Sequence, residues 1–268
     1  MGVNVAVFEY ILQHGFERLW DTCTIFRDDV NELGQPWLRR RLLPADGALG
    51  LTLHWLTSTA SNSALEQIFA IVPAVLSHYL SFSLQILVYV LCNLPEGQII
   101  WPSPDEMDAF SAMIQQRHPA IWGAFGFVDG LNLPVETSSD LQLEESTYNG
   151  WLHSHRIGNI FVFAPNGCII ACKLNAPGSW HDFCVARHVY TKLIENTPEG
   201  HFLIADTAFL TRSPALDGKI HTPLKQGSRL PADRDERAEA IEYSNRLTQA
   251  RQAAEWGMRA LQGAFCRL

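Results

Sequence analysis

A short apolar run that stops at a carboxylate and a glycine constrains this chain most. Ile121, Trp122, Ala124, Phe125, Phe127 and Val128 lead directly into Asp129-Gly130. The run reads as a buried strand. An aspartate and a glycine at its end hold a carboxylate rigidly at a sheet edge, with room for a ligand beside it. The arrangement recurs at His201-Phe202-Leu203-Ile204-Ala205-Asp206. A third carboxylate, Glu255, sits in a helical pattern with the local text Arg251-Gln252-Ala253-Ala254-Glu255-Trp256-Gly257.

Hydrophobic residues make up 47% of the 268 residues, enough for one large core or a core with a small appendage. The net charge of −8 argues against a broad DNA-coating surface, though not against a local basic groove. Cationic residues do cluster, at Arg39-Arg40-Arg41 and at Lys219, Lys225, Arg229, Arg234 and Arg237. Arg39-Arg40-Arg41 reads as a solvated turn in preference to a phosphate contact. The six cysteines form no CxxC pair and no zinc spacing, which reads as reduced thiols in an intracellular protein. No Asp, Glu, Lys or Arg occurs between Glu66 and Glu96. That stretch is long enough to span a bilayer, but Gln67, Pro73, Ser77, His78, Ser81, Ser83 and Gln85 interrupt it, so a buried helix pair is expected.

In chain order, residues 1 to about 45 tend to helix, with a break at Leu33-Gly34-Gln35-Pro36. Helices are predicted from Pro44-Ala45-Asp46, with Asp46 as N-cap, over Ala64 to Ile71, and over Ala74 to Cys92. Helix, turn and helix between about 45 and 92 give the outline of a helix-turn-helix, although the last helix carries no Arg or Lys. Ser103-Pro104 starts a further helix that ends near His118-Pro119. After the strand to Asp129 come a polar loop (Thr137 to Thr147) and a Tyr148-Asn149-Gly150-Trp151 turn. A hairpin follows, with strands Asn159 to Ala164 and Cys168 to Leu174. Then come a helix from His181 to Ile194, the strand to Asp206, a short edge strand at Ile220 to Leu224, and a long helix from Ala232. That helix shows one apolar face at Leu247, Ala250, Ala254, Met258 and Leu261. The expected fold class is α+β, with carboxylates at strand ends.

An isolated strand-end aspartate commonly just caps the next turn, and Glu255 has Arg251 and Arg259 as i±4 partners. The joint pattern points further. Phosphoryl chemistry with two metal ions needs several carboxylates converging on cations about 3.5–4 Å apart. Hard oxygen ligands favour Mg²⁺ or Mn²⁺.

Phe127-Val128-Asp129-Gly130, Ala176-Pro177-Gly178-Ser179-Trp180-His181-Asp182, Ala205-Asp206-Thr207-Ala208-Phe209 and Arg251 through Arg259 together resemble the DDE superfamily endonuclease domain of PIF/Harbinger-type transposases and their domesticated relatives. The resemblance covers roughly residues 121 to 268. It implies an RNase H-like catalytic core, a mixed sheet with flanking helices, over 119–268. A mostly helical region over 1–118 would precede it. It implies a triad of Asp129, Asp206 and Glu255 that binds Mg²⁺ or Mn²⁺ for DNA strand cleavage and transfer. His181 and Asp182 would support it, Asp182 as a helix cap or second shell and His181 as a phosphate or water contact. The basic residues from 212 to 237 would hold phosphate backbone or remain a solvated loop. The resemblance further implies a nuclear protein that acts on DNA, outside membranes, with a separate DNA-binding partner protein. The chain stops at Cys266-Arg267-Leu268, where family members continue, so a truncated core end is expected. The alternative is a domesticated or truncated, catalytically inactive interaction module with the same fold.

Overall fold

The structure is a computed structural model that describes residues 2–25, 40–209, 213–225 and 227–267. The expected break at Leu33-Gly34-Gln35-Pro36, together with Arg39 and Arg212, lies outside the described residues. The chain divides into two compact units, residues 1–98 with 261–268, and residues 99–260.

The first unit is helical. Helix α1 (Val5–Ile11) starts at Asn4, whose side chain accepts a hydrogen bond from the Val7 N–H. The chain leaves helical angles at His14 and Gly15 (φ +136°), then resumes as α2 (Glu17–Thr22). Helices α3 (Ala45–Thr57), α4 (Asn62–Phe69) and α5 (Pro73–Asn93) follow. Asp46 does not cap α3. The capping position is Pro44, and Asp46 lies in the first turn, where its charge still suits the helix dipole. By length and composition α5 is the one helix among the described residues that qualifies to cross a membrane. Leu76, Leu80, Leu87 and Val90 make its buried stripe, in one cluster with Phe16, Trp20, Leu49 and Leu51. Arg41 is not part of a solvated turn. Its guanidinium lies 4.6 Å from the Trp20 ring centre and 5.4 Å from that of Phe82, and it donates to the Cys23 carbonyl.

The second unit begins with α6 (Pro104–Arg117). Its start is a full capping box: the Ser103 hydroxyl accepts from the Glu106 N–H, and the Glu106 carboxylate accepts from the Ser103 N–H. Strand β1 (Ala124–Pro134) follows. Next come α7 (Leu141–Thr147), β2 (Tyr148–Asn149), β3 (Ser154–Phe163) and β4 (Ile169–Pro177). Two short helices, α8 (Asp182–Val185) and α9 (Arg187–Glu195), replace the single helix expected from His181 to Ile194; Ala186 (ψ 0°) separates them. Strands β5 (Phe202–Ala205) and β6 (Ile220–His221) and the long α10 (Arg234–Ala264) complete the order.

Among the described residues the main sheet runs β4-β3-β1-β5-β6, with β2 pairing the start of β3. β1, β3 and β4 are antiparallel neighbours, and β5 and β6 run parallel to β1. This is the α+β, RNase H-like mixed sheet with flanking helices. Phe125, Val128, Ile160, Val162, Leu203 and Ala205 of the sheet form its core with Met107 of α6 and Val189 and Leu193 of α9. α10 lies against this unit through buried Leu247, Ala250, Ala254 and Met258. The approach is close at Gly257, where a Cβ would stand 2.8 Å from two carbons of the Phe163 ring.

β1 does not end at Asp129. Residues Leu131 to Pro134 go on pairing with β3, from Leu131 opposite Asn159 to Pro134 opposite Arg156. What ends near Asp129 is the parallel partner on the other side. The last β1–β5 pair is Val128 with Ala205. Asp129 therefore sits inside a strand, at the point where its neighbour leaves.

Candidate active site

The β1–β5 register brings two sequence-distant aspartates together. Since Val128 faces Ala205 across parallel strands, the next residues, Asp129 and Asp206, are side by side as β5 ends. Each carboxylate accepts one local backbone bond. Asp129 Oδ1 accepts from the Gly130 N–H at 2.9 Å, and Asp206 Oδ1 from the Thr207 N–H at 2.6 Å. These bonds hold the carboxylates in place and leave the other oxygens available.

Glu255 comes from α10, and Arg251 ties it to the sheet. The Arg251 guanidinium lies 3.1 Å from Glu255 Oε1 and 3.9 Å from Asp129 Oδ1. The i−4 partner anticipated for Glu255 is thus also a partner of Asp129. Arg259, the other anticipated partner, forms no ion pair with Glu255 among the described residues.

Burial pushes the Asp129 carboxyl above the ordinary aspartate range. The Gly130 N–H and the Arg251 charge oppose that rise, while the charges of Asp206 and Glu255 add to it. All three carboxylates therefore share one electrostatic neighbourhood.

Asp182 joins it as a fourth. Burial raises its pKa first and the charge of Asp206 raises it further, while His181 opposes both. Its carboxylate also lies beside β1, since a Cβ on Gly130 would stand 3.1 Å from Asp182 Oδ2. Among the described residues the Asp182 side chain caps nothing. The N-cap of α8 is His181, and His181 makes no side-chain capping bond. The His181 ring stacks on Phe183, centroids 6.0 Å apart.

The Pro177-Gly178-Ser179 block gains a physical reason. A Cβ on Gly178 would lie 2.1 Å from the Arg156 carbonyl oxygen and 2.5 Å from that of Thr147, so only glycine fits. Asn149 clasps the same loop. Its amide donates to the Gly178 carbonyl, and its side-chain oxygen accepts from the Trp151 and Leu152 N–H groups. The aromatic turn after β2 is thereby pinned to the loop that carries Trp180, His181 and Asp182. The sequence signalled both segments separately and their meeting not at all.

Lys219 is not available for phosphate, because its ammonium group donates to the Thr197 and Pro198 carbonyls at 2.7 and 2.6 Å. Arg237 donates to the Pro231 carbonyl. Lys225, Arg229 and Arg234 remain exposed.

Among the described residues no group of three or more His, Cys, Asp or Glu side chains stands ready-made to hold a metal ion. The Arg251 guanidinium stands between Asp129 and Glu255. The donor chemistry nonetheless fits a hard divalent cation, with half-buried carboxylates from three parts of the chain and one arginine to balance them.

A family model described as DDE superfamily endonuclease matches residues 128–268, more than half of the chain. No curated protein and no solved structure matches the chain.

Proposed function

The chain belongs to the DDE superfamily endonuclease family, and on that premise we propose that it cleaves DNA phosphodiester bonds through Asp129, Asp206 and Glu255. The observation that carries this reading is the β1–β5 register, which sets Asp129 beside Asp206 at the end of a parallel strand pair. The Phe127-Val128-Asp129-Gly130, Pro177-Gly178-Ser179-Trp180-His181-Asp182 and Asp206-Thr207-Ala208-Phe209 blocks support the PIF/Harbinger-type branch in particular. That branch would place the protein at nuclear DNA, with a partner protein to choose the site.

Asp129, Asp206 and Glu255 are the residues that would hold Mg²⁺ or Mn²⁺. Bound there, such ions supply the Lewis acid that activates the attacking water or 3′-hydroxyl and steadies the leaving oxygen. The chain's own residues do the rest. The Gly130 and Thr207 N–H groups fix the two aspartates so that their remaining oxygens stay aimed. Arg251 keeps Glu255 turned toward Asp129 and offsets their repulsion. Asp182 adds charge beside Asp206 from the far side of β1. His181 lines the adjacent cleft, within reach of a phosphate or a water in it.

The test is cleavage of labelled DNA in Mn²⁺ by the wild type and by Asp206→Asn, with Mn²⁺ binding followed by calorimetry. Cleavage and metal affinity that both fall away in a folded Asp206→Asn protein bear the reading out. Equal cleavage by the two proteins refutes the triad. A folded wild type with neither cleavage nor metal affinity favours the inactive interaction module.

A further inference from the structure

We propose that the aromatic cleft beside the carboxylates holds a single unstacked DNA base next to the bond that is cut. This assignment rests on the nuclease reading above. The cleft measures about 320 Å³, and its lining includes Asn132, Trp151, Trp180, His181, Asp182 and Phe183. It abuts the site at three points, two through chain continuity and one through packing. Asn132 follows Asp129 on β1, Ala208 follows Asp206, and Asp182 lies against Gly130. Whatever occupies the cleft is therefore next to the group that reacts.

The lining chemistry selects which part of DNA that is. Among the described residues the lining holds no Lys or Arg, so His181 can meet a flanking phosphate but the cleft is not built to hold one. Flat aromatic rings alternate in its walls with polar groups, Asn132, Asn149, His181 and Asp182. Trp151 is 89% exposed and Trp180 is 53% exposed, and Phe183 is stacked with His181 at an interplanar angle of 13°. Indole rings held out to solvent cost hydration free energy unless something covers them. The backbone that carries Trp151 is fixed to the Gly178 loop, because Asn149 clasps the two together. A base offers a flat π-face of matching shape, and base–aromatic stacking tolerates any sequence. Asn132 and His181 add polar groups to the lining for the base edge. The volume is at the bottom of the range of about 300–1,000 Å³ for small-molecule clefts, so it admits one heterocycle with its sugar and excludes a duplex. A base enters only when it is unpaired or flipped.

The experiment uses the whole chain in EDTA, so that no cut occurs. The probes are a fluorescent oligonucleotide with 2-aminopurine, as single strand and as duplex. The wild type is compared with Trp151→Ala and Trp180→Ala, both exposed enough to be replaced without loss of fold; circular dichroism checks this. Expected are tighter binding of the single strand, quenched 2-aminopurine, and binding about 5–150-fold weaker in each variant, with the quench lost. Equal binding of single strand and duplex, unchanged in both variants, overturns the assignment and leaves the rings to a protein partner; absence of any binding overturns it too. The Mn²⁺ cleavage test on the same DNA separates the two ideas. Quenching that depends on the tryptophans, with cleavage that ignores Asp206→Asn, sinks the nuclease triad and keeps the base site. The reverse pattern sinks the base site alone.

Discussion

Gly257 is a point of close approach between α10 and the sheet, and replacing it with alanine sets two known effects against each other. In a helix interior, Gly→Ala stabilises by about 0.5–1 kcal/mol. Here the new methyl would sit 2.8 Å from two carbons of the Phe163 ring, well inside contact distance. That ring is 4% exposed and stacked on Phe161 with centroids 6.1 Å apart, so it cannot swing clear cheaply. Overpacking of this kind costs about 1–3 kcal/mol. The clash should win, and Gly257→Ala should lose up to about 2 kcal/mol. Phe163→Ala removes every atom in the clash and provides the rescue. In the Phe163→Ala background the same Gly257→Ala change should turn stabilising by about 0.5–1 kcal/mol, a coupling of about 1–3 kcal/mol. Urea midpoints of the four proteins, at equal m-value, measure it. The same effect of Gly257→Ala in both backgrounds would refute the packing argument. Glu255 lies two residues before the contact, so on the nuclease reading the single variant should also lose cleavage, and the double variant should regain part of it.

Two further outcomes follow from the same geometry. Burial and neighbouring negative charge raise the pKa values of Asp129 and Asp182, so the folded state binds protons more readily than the unfolded chain, whose aspartates titrate near 3.8. Stability from these groups is present below that value and is lost as pH rises through their folded pKa. Asp129→Asn and Asp182→Asn should therefore stabilise the metal-free protein at neutral pH. That gain should fade as pH falls toward 3.8, as read by urea midpoints across pH. Lys219→Met removes two hydrogen bonds to the Thr197 and Pro198 carbonyls and should cost about 1–3 kcal/mol of stability, with DNA affinity by anisotropy unchanged.

What the sequence disclosed and what it hid divide along range of interaction. Ser103-Pro104 and Asn166-Gly167 declare a helix start and a turn because their signals act within a few residues, and both stand where expected. Asp140 carries the same kind of short-range signal, in a less obvious setting. Its carboxylate accepts from the Gln142 and Leu143 N–H groups and starts α7 inside a segment that reads as a polar loop. The extension of β1 past Asp129 is a different matter. Leu131-Asn132-Leu133-Pro134 has a weak strand pattern, and β3 holds it extended from a distance in the chain. Arg41 illustrates the same limit. Three consecutive arginines read as solvated until Trp20 and Phe82 close around the last of them.

Arg251 shows why the candidate site was only half legible. Read locally, it is an i,i+4 partner of Glu255, an interaction worth about 0.3–0.5 kcal/mol and found on many solvated helices. Read in three dimensions, the same guanidinium reaches Asp129 from another element altogether. The bland pairing and the functional one are therefore not rivals. The weak local pair keeps Arg251 on the Glu255 face of α10. The packing of Gly257 on Phe163 sets how near α10 comes to the sheet. Only with both in place does one positive charge stand between two carboxylates that the chain brings from opposite ends of the unit. A cation with more charge and no side chain to tether would do the same job more strongly. On the nuclease reading, Arg251 is the charge that offsets the repulsion between Asp129 and Glu255.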